Sequence, residues 1–157
     1  ENNYNENGKI SSFSKLTEEQ VSKYFEDSFA LSKNIEIPRK YFIIIIGNLE
    51  MKKKIAKAIL KGNSFEYDQV EYYDYNGKGF NIKKYFNNHR CIGIIMGPNA
   101  HKIQTVDSKS LKTQLINNPG YPFFVDLIEK RITKQSLQEA ITKIKWNYCR
   151  EKDELNN

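Results

Sequence analysis

The residues best equipped for chemistry stand together in Gly97-Pro98-Asn99-Ala100-His101-Lys102. A glycine lets the chain turn sharply and lets a ligand approach the backbone. Asn99 can donate or accept a hydrogen bond. His101 changes charge near neutral pH and can give or take a proton. Lys102 carries a positive charge that complements phosphate or carboxylate. Gly47-Asn48 forms a second, simpler group of the same kind, and Asp74 (or Asn76) and Asp126 are further polar residues placed to reach both. The chemistry these types imply is recognition of a small anionic ligand, nucleotide-like in its charge. If a reaction takes place, His101 is the general acid/base and Lys102 the electrostatic stabiliser.

Other chemistries lack their residues. There is no G-x-G-x-x-G dinucleotide fingerprint and no G-x-x-x-x-G-K-[ST] phosphate loop. There is no G-x-S-x-G nucleophile elbow. The chain has 2 histidines, and neither is spaced against another strong ligand as a metal site requires, so no metal and no resident cofactor are expected. His89, in "NNHR", reads as solvated. The 2 cysteines, Cys91 and Cys149, form no C-x-x-C pair. We expect a reduced, cytoplasmic protein with Cys91 as a small core residue.

The elements that must position these residues follow from hydropathy patterning. Residues 1–15 are polar and without period, a tail or linker. "LTEEQV" then offers Thr17 and Gln20 as a capping box and Leu16 with Val21 as a staple, so an amphipathic helix is predicted over 17–33. The β-branched run 40–48 ends in Gly-Asn and reads as a strand buried on both faces. A helix over 49–62 follows, with Leu49, Ile55, Ile59 and Leu60 inward and Gly62 as its stop. Residues 65–75 suit a strand through Val70 and Tyr72, although their tyrosines could also stack bases. "NGKG" at 76–79 is a turn, and 81–89 a short helix. Strand 90–96, helix 108–118, strand 121–128 with Pro122 at its start, and helix 133–154 complete the chain. In the last helix Leu137, Ile141, Ile144 and Tyr148 form the inner stripe, and Ser136 with Glu139 offers a capping box.

One helix followed by four strand–helix units implies a parallel sheet with right-handed crossovers. The expected fold is a three-layer, Rossmann-like (flavodoxin-like) α/β domain over residues 16–157. Its four strands take the order 2-1-3-4, with an extra N-terminal helix. In such sheets ligands bind beyond the carboxyl ends of the strands where the order reverses, here between the first and third strands. The loops at that point are 47–52 and 97–102. Topology and residue type therefore mark the same place: Gly47, Asn48, Gly97, Pro98, Asn99, His101 and Lys102, with Asp74 and Asp126 at the rim.

Length and charge bound the rest. A chain of 157 residues suits one domain with a real core. "YFIIII", the longest apolar run, is far too short to cross a bilayer, so no membrane partner is expected. The formal net charge of +6 permits an anionic partner, nucleic acid included. Two open sheet edges and an amphipathic leading helix lead us to expect a homodimer. The chain starts at Glu1, which leads us to expect a piece of a longer protein.

The ordered segments "IIIIGN", "YYDY", "IIMGPNAHK", "NPGYPFFVDL" and "ITKQSLQEAI" resemble a group of poorly characterised bacterial Rossmann-like domains over about residues 40–145. Their mark is a strand followed by Gly-Pro-x-x-His-Lys. The resemblance implies the fold and points to the 97–102 loop; it supplies no activity, catalytic residue or cofactor. Three readings follow, in order of expectation: a small anionic ligand binding or sensing module, a nucleic-acid or protein interaction domain, and an enzyme using His101.

Overall fold

The computed structural model describes residues 35–73, 80–98, 111–128 and 130–156. Its regular elements are β1 (Phe42–Ile46), α1 (Lys53–Gly62), β2 (Val70–Tyr73), β3 (Cys91–Met96), α2 (Leu111–Asn117), β4 (Phe124–Asp126) and α3 (Lys134–Asn156). The four strands form one parallel sheet in the order β2-β1-β3-β4, so the chain is a three-layer, Rossmann-like α/β domain. The leading helix over 17–33, the turn 76–79 and the candidate residues Asp74, Asn76, Asn99, His101 and Lys102 lie outside the described residues.

The unbroken isoleucine run of β1 makes sense in this sheet because both faces are covered. Ile43 and Ile45 point into a core built with Ile95 and Val125 beneath α1 and α3. Ile44 and Ile46 point the other way, into a core shared with Ile94, Met96 and Phe124 beneath α2. All four isoleucines are fully buried, and each such burial contributes about 1.5–3 kcal/mol. A strand with only one covered face would alternate with polar residues; β1 has none to alternate. The inner stripe expected of the last helix is also present: Leu137, Ile141, Ile144 and Tyr148 are buried against the first core.

The register aligns the strand ends. Tyr73, Ile46, Met96 and Asp126 lie in one row across the sheet, through the pairs Ile46↔Tyr73, Ile46↔Met96 and Met96↔Asp126. The residues just past this row form the carboxyl rim.

Several expected elements are shorter or of another kind. The strand expected over 65–75 is a single 3-10 turn, Tyr67–Gln69, followed by the four residues of β2. Gln69 forces the turn. Its side-chain amide is buried and donates to the carbonyls of Pro38 and Tyr41, and its oxygen accepts the Glu66 N–H. The helix expected over 81–89 is one 3-10 turn, Ile82–Tyr85, capped by Asn81. The apolar residues Ile82, Tyr85 and Phe86 were expected to face inward; Ile82 and Tyr85 are buried, whereas Phe86 is exposed. The second helix begins at Lys53 rather than 49, because Leu49 pairs with Ile132 in a parallel bridge and the Glu50 N–H donates to the Ile132 carbonyl. α1 ends at Gly62, yet the left-handed residue that reverses the chain is Ser64 (φ 75°). The cap of α3 is Thr133 and not Ser136: the Ser136 N–H donates to Thr133 Oγ1 and the Thr133 N–H to Ser136 Oγ. That is a reciprocal box one turn earlier than Ser136 with Glu139.

Candidate functional site

The site expected at the order reversal contains Gly47, Asn48, Gly97 and Pro98 among the described residues. Gly47 leaves β1 with φ +117°, a conformation that side chains rarely adopt. It also stands against the neighbouring loop. A Cβ at Gly47 would lie 3.1 Å from Gly97 Cα and 3.3 Å from the Pro98 carbonyl oxygen. The two loops therefore touch. The Gly97 N–H donates to the Ile46 carbonyl at 2.7 Å, and the Gly47 N–H to the Tyr73 carbonyl at 3.1 Å, so each strand hands its last hydrogen bond across the rim.

The close approach that Gly97 permits is made by the chain itself. A Cβ there would fall 2.6 Å from Ile132 Cδ1 and 2.8 Å from the Ile46 carbonyl oxygen. Ile132, on the connection from β4 to α3, thus packs over the end of β3, and its backbone is tied to Leu49 and Glu50 on the far side of the reversal. Gly47 and Gly97 are small because three connections meet there. Asn48 is exposed beside them.

Asp126 ends β4, one strand further out. Its Oδ1 accepts the Ile128 N–H at 3.0 Å and its Oδ2 sits 2.7 Å from Lys112 Nζ. Both oxygens are thus engaged, one closing the turn after β4 and the other holding the first turn of α2 to the sheet.

A feature not singled out from the sequence is the start of α1. Its N-cap position is Lys52, which provides no side-chain hydrogen bond, and the first turn holds no acidic residue. The Lys52 carbonyl takes the N–H groups of Ile55 and Ala56. Among the described residues the Lys53 and Lys54 N–H groups have no acceptor, as expected for the orphan donors of a helix start. Lys52, Lys53 and Lys54 therefore place three positive charges on the positive end of the helix dipole, where like charge is unfavourable. The signal was legible as Lys-Lys-Lys with Met51, not Ser, Thr, Asp or Asn, directly before it; the expected helix start at 49 hid it.

A third cluster joins residues too distant in sequence to be paired by spacing. Tyr85 donates to Glu71 Oε2 at 2.6 Å, and the Tyr73 and Tyr85 hydroxyls are 2.8 Å apart. Burial, then the bonds to Glu71 and Tyr73, push the Tyr85 hydroxyl well above its usual range. Beneath it, burial raises the Cys91 thiol to about 12, which keeps it a protonated, unreactive core group. His89 is exposed.

Among the described residues no group of three or more histidine, cysteine, aspartate or glutamate side chains is placed to hold a metal ion. No described helix is long and apolar enough to cross a membrane. The enzyme reading depends on His101, outside the described residues. Compared with protein-family models, with curated proteins and with solved structures, the chain matches none. The resemblance carried by the Gly-Pro-x-x-His-Lys loop gains no support from these comparisons.

Proposed function

We propose that the domain binds a small anionic ligand, phosphate-bearing and nucleotide-like, at the carboxyl rim of its sheet. The observation that carries this reading is the uncapped start of α1, with its two orphan N–H donors and three lysines. A helix beginning this way is less stable than one with Ser or Asp at its cap, by about 0.5–2 kcal/mol. An anion seated on those N–H groups offsets that deficit and neutralises the lysines. Gly47 and Asn48 lead into this helix from β1, at the reversal of strand order where open parallel sheets take their ligands. The reading extends to a homodimer, since β2 and β4 each have a strand neighbour on one side only among the described residues. It also extends to a reducing, cytoplasmic setting, which suits the unbridged thiol of Cys91.

The test is a titration of the isotope-labelled protein with inorganic phosphate and with ATP, followed by amide NMR. The Asn48, Lys53 and Lys54 amide signals shift in a saturable way. A titration to millimolar ligand that leaves these amides in place contradicts the proposal. Light scattering decides the assembly: twice the chain mass supports the dimer and a single chain mass removes it.

A further inference from the structure

The exposed edge of the sheet carries a second surface, remote in type from the rim. Between the C-terminal half of α1 and β2 runs a groove of about 180 Å³. Its floor is apolar, from Leu60, Phe65 and Val70; its lips are Tyr67, Tyr72, Lys57 and Lys61, with Glu66 the one acid. Tyr67 is 71% exposed and Tyr72 42%, two of the three large apolar side chains that the described residues leave in solvent. Lys57 Nζ lies 4.5 Å from the centre of the Tyr67 ring.

Two physical oddities need a common explanation. The first is the pair of open tyrosine rings beside an apolar trough, which water solvates poorly. The second is charge. Lys53, Lys57 and Lys61 recur every four residues, so they form one row along α1, where like charges repel. Among the described residues none of the three is in an ion pair, and α1 contains no acidic residue. A row of lysines beside open aromatic rings is complementary to a strand that alternates phosphates with flat bases.

We infer that this groove binds single-stranded nucleic acid, with one base laid against Tyr67 and Tyr72 and the backbone phosphates along Lys57 and Lys61. Size supports a single ring system. Pockets for whole cofactors span about 300–1,000 Å³, well above this groove. Duplex is a poor fit, because its bases are stacked within the helix and present no free face to a tyrosine. The raised titration of the Tyr72 hydroxyl, due first to burial and then to the nearby Tyr67, is consistent with two rings sharing one surface.

Fluorescence anisotropy with a labelled short oligothymidylate tests this on the full chain. The wild type binds the single strand more tightly than a hairpin duplex of equal length. Tyr67→Ala weakens binding about ten- to hundredfold, the loss expected of one stacked base. Tyr67→Phe, which keeps the ring, retains it. Lys57→Gln and Lys61→Gln each lower the salt slope by about 0.7, the single-strand value per phosphate. Tyr67 is largely in solvent, so its variants keep the fold, which circular dichroism verifies. The inference is overturned by no binding at low salt, by equal affinity for duplex, or by Tyr67→Ala binding like the wild type. It is equally overturned if a glutamate-rich peptide competes as well as the oligonucleotide, which would reveal a charge-only or peptide surface.

Discussion

At the scale of single residues, the rim is governed by contact distances. Gly97 has Ile132 and the Ile46 carbonyl where a side chain would go, so Gly97→Ala overpacks the site. The expected cost is about 1–3 kcal/mol. Shortening the obstacle relieves part of it: Gly97→Ala with Ile132→Val loses less stability than the two single changes summed, as urea unfolding of the four proteins will show. Strict additivity would mean that Ile132 is not what fills the space. Cys91 makes a second residue-level prediction. Its thiol titrates at 9.0 when unfolded and is pushed up to about 12 when folded, chiefly by burial. The folded state therefore favours the protonated thiol. The stabilisation is complete below pH 9 and drains away as pH rises towards 12, by about 1.4 kcal/mol per unit. Tyr72, Tyr85 and Tyr148 are raised too and act in the same direction above pH 10, whereas burial lowers Lys143 and Lys145, which act oppositely. Comparing wild type with Cys91→Ala cancels these shared terms. Between about pH 8 and pH 10.5 the wild type loses about 2 kcal/mol more than the variant. Parallel losses would show that the thiol is not held protonated.

At the scale of elements, what was legible depended on whether a pattern was local. β1 and β3 were plain because short apolar runs rich in isoleucine and bounded by turn residues suit strands covered on both faces, and the inner stripe of α3 was plain because four apolar residues share one helical face. The 3-10 turn before β2 was not. It depends on Gln69 reaching carbonyls 28 and 31 positions away, which no window on the sequence contains. The late start of α1 has the same cause, since Leu49 is claimed by Ile132. Another long-range device fixes α1 to α3. Asn63, the C-cap of α1, and Gln138 exchange side-chain amide bonds at 2.9 and 3.0 Å, and Gln138 also meets Thr142. Asn63 is buried; its Nδ2 also donates to the Ile59 carbonyl, so removing Gln138 leaves its Oδ1 as the atom without a partner. Gln138→Ala is expected to cost about 1–3 kcal/mol, and Asn63→Ala a similar amount, with the double variant well short of the sum. Calorimetric melting of the three variants measures the coupling. If the losses simply add, the amide pair is not a unit.

At the scale of the whole molecule, the order β2-β1-β3-β4 decides where function is sought. The alternation of strands and helices made that order readable, and with it the rim at Gly47 and Gly97. It did not reveal that the three connections meeting there would fill the reversal with their own atoms. Nor did it show that the free polar capacity would lie at the start of α1. If α1 is an anion seat, the helix forgoes the stability of a proper cap to keep its first N–H groups open, and one substitution reverses that choice. Lys52→Asp supplies the missing cap and a charge of the right sign for the helix dipole. The decisive measurement is the thermal unfolding of Lys52→Asp beside the wild type, each with and without inorganic phosphate in excess. The wild type gains stability with phosphate, by about 2.7 kcal/mol when the ligand stands at a hundred times its dissociation constant. Lys52→Asp starts about 0.5–2 kcal/mol more stable and gains nothing further from phosphate. A variant that keeps the full phosphate response, or a wild type that shows none, contradicts the anion seat at α1.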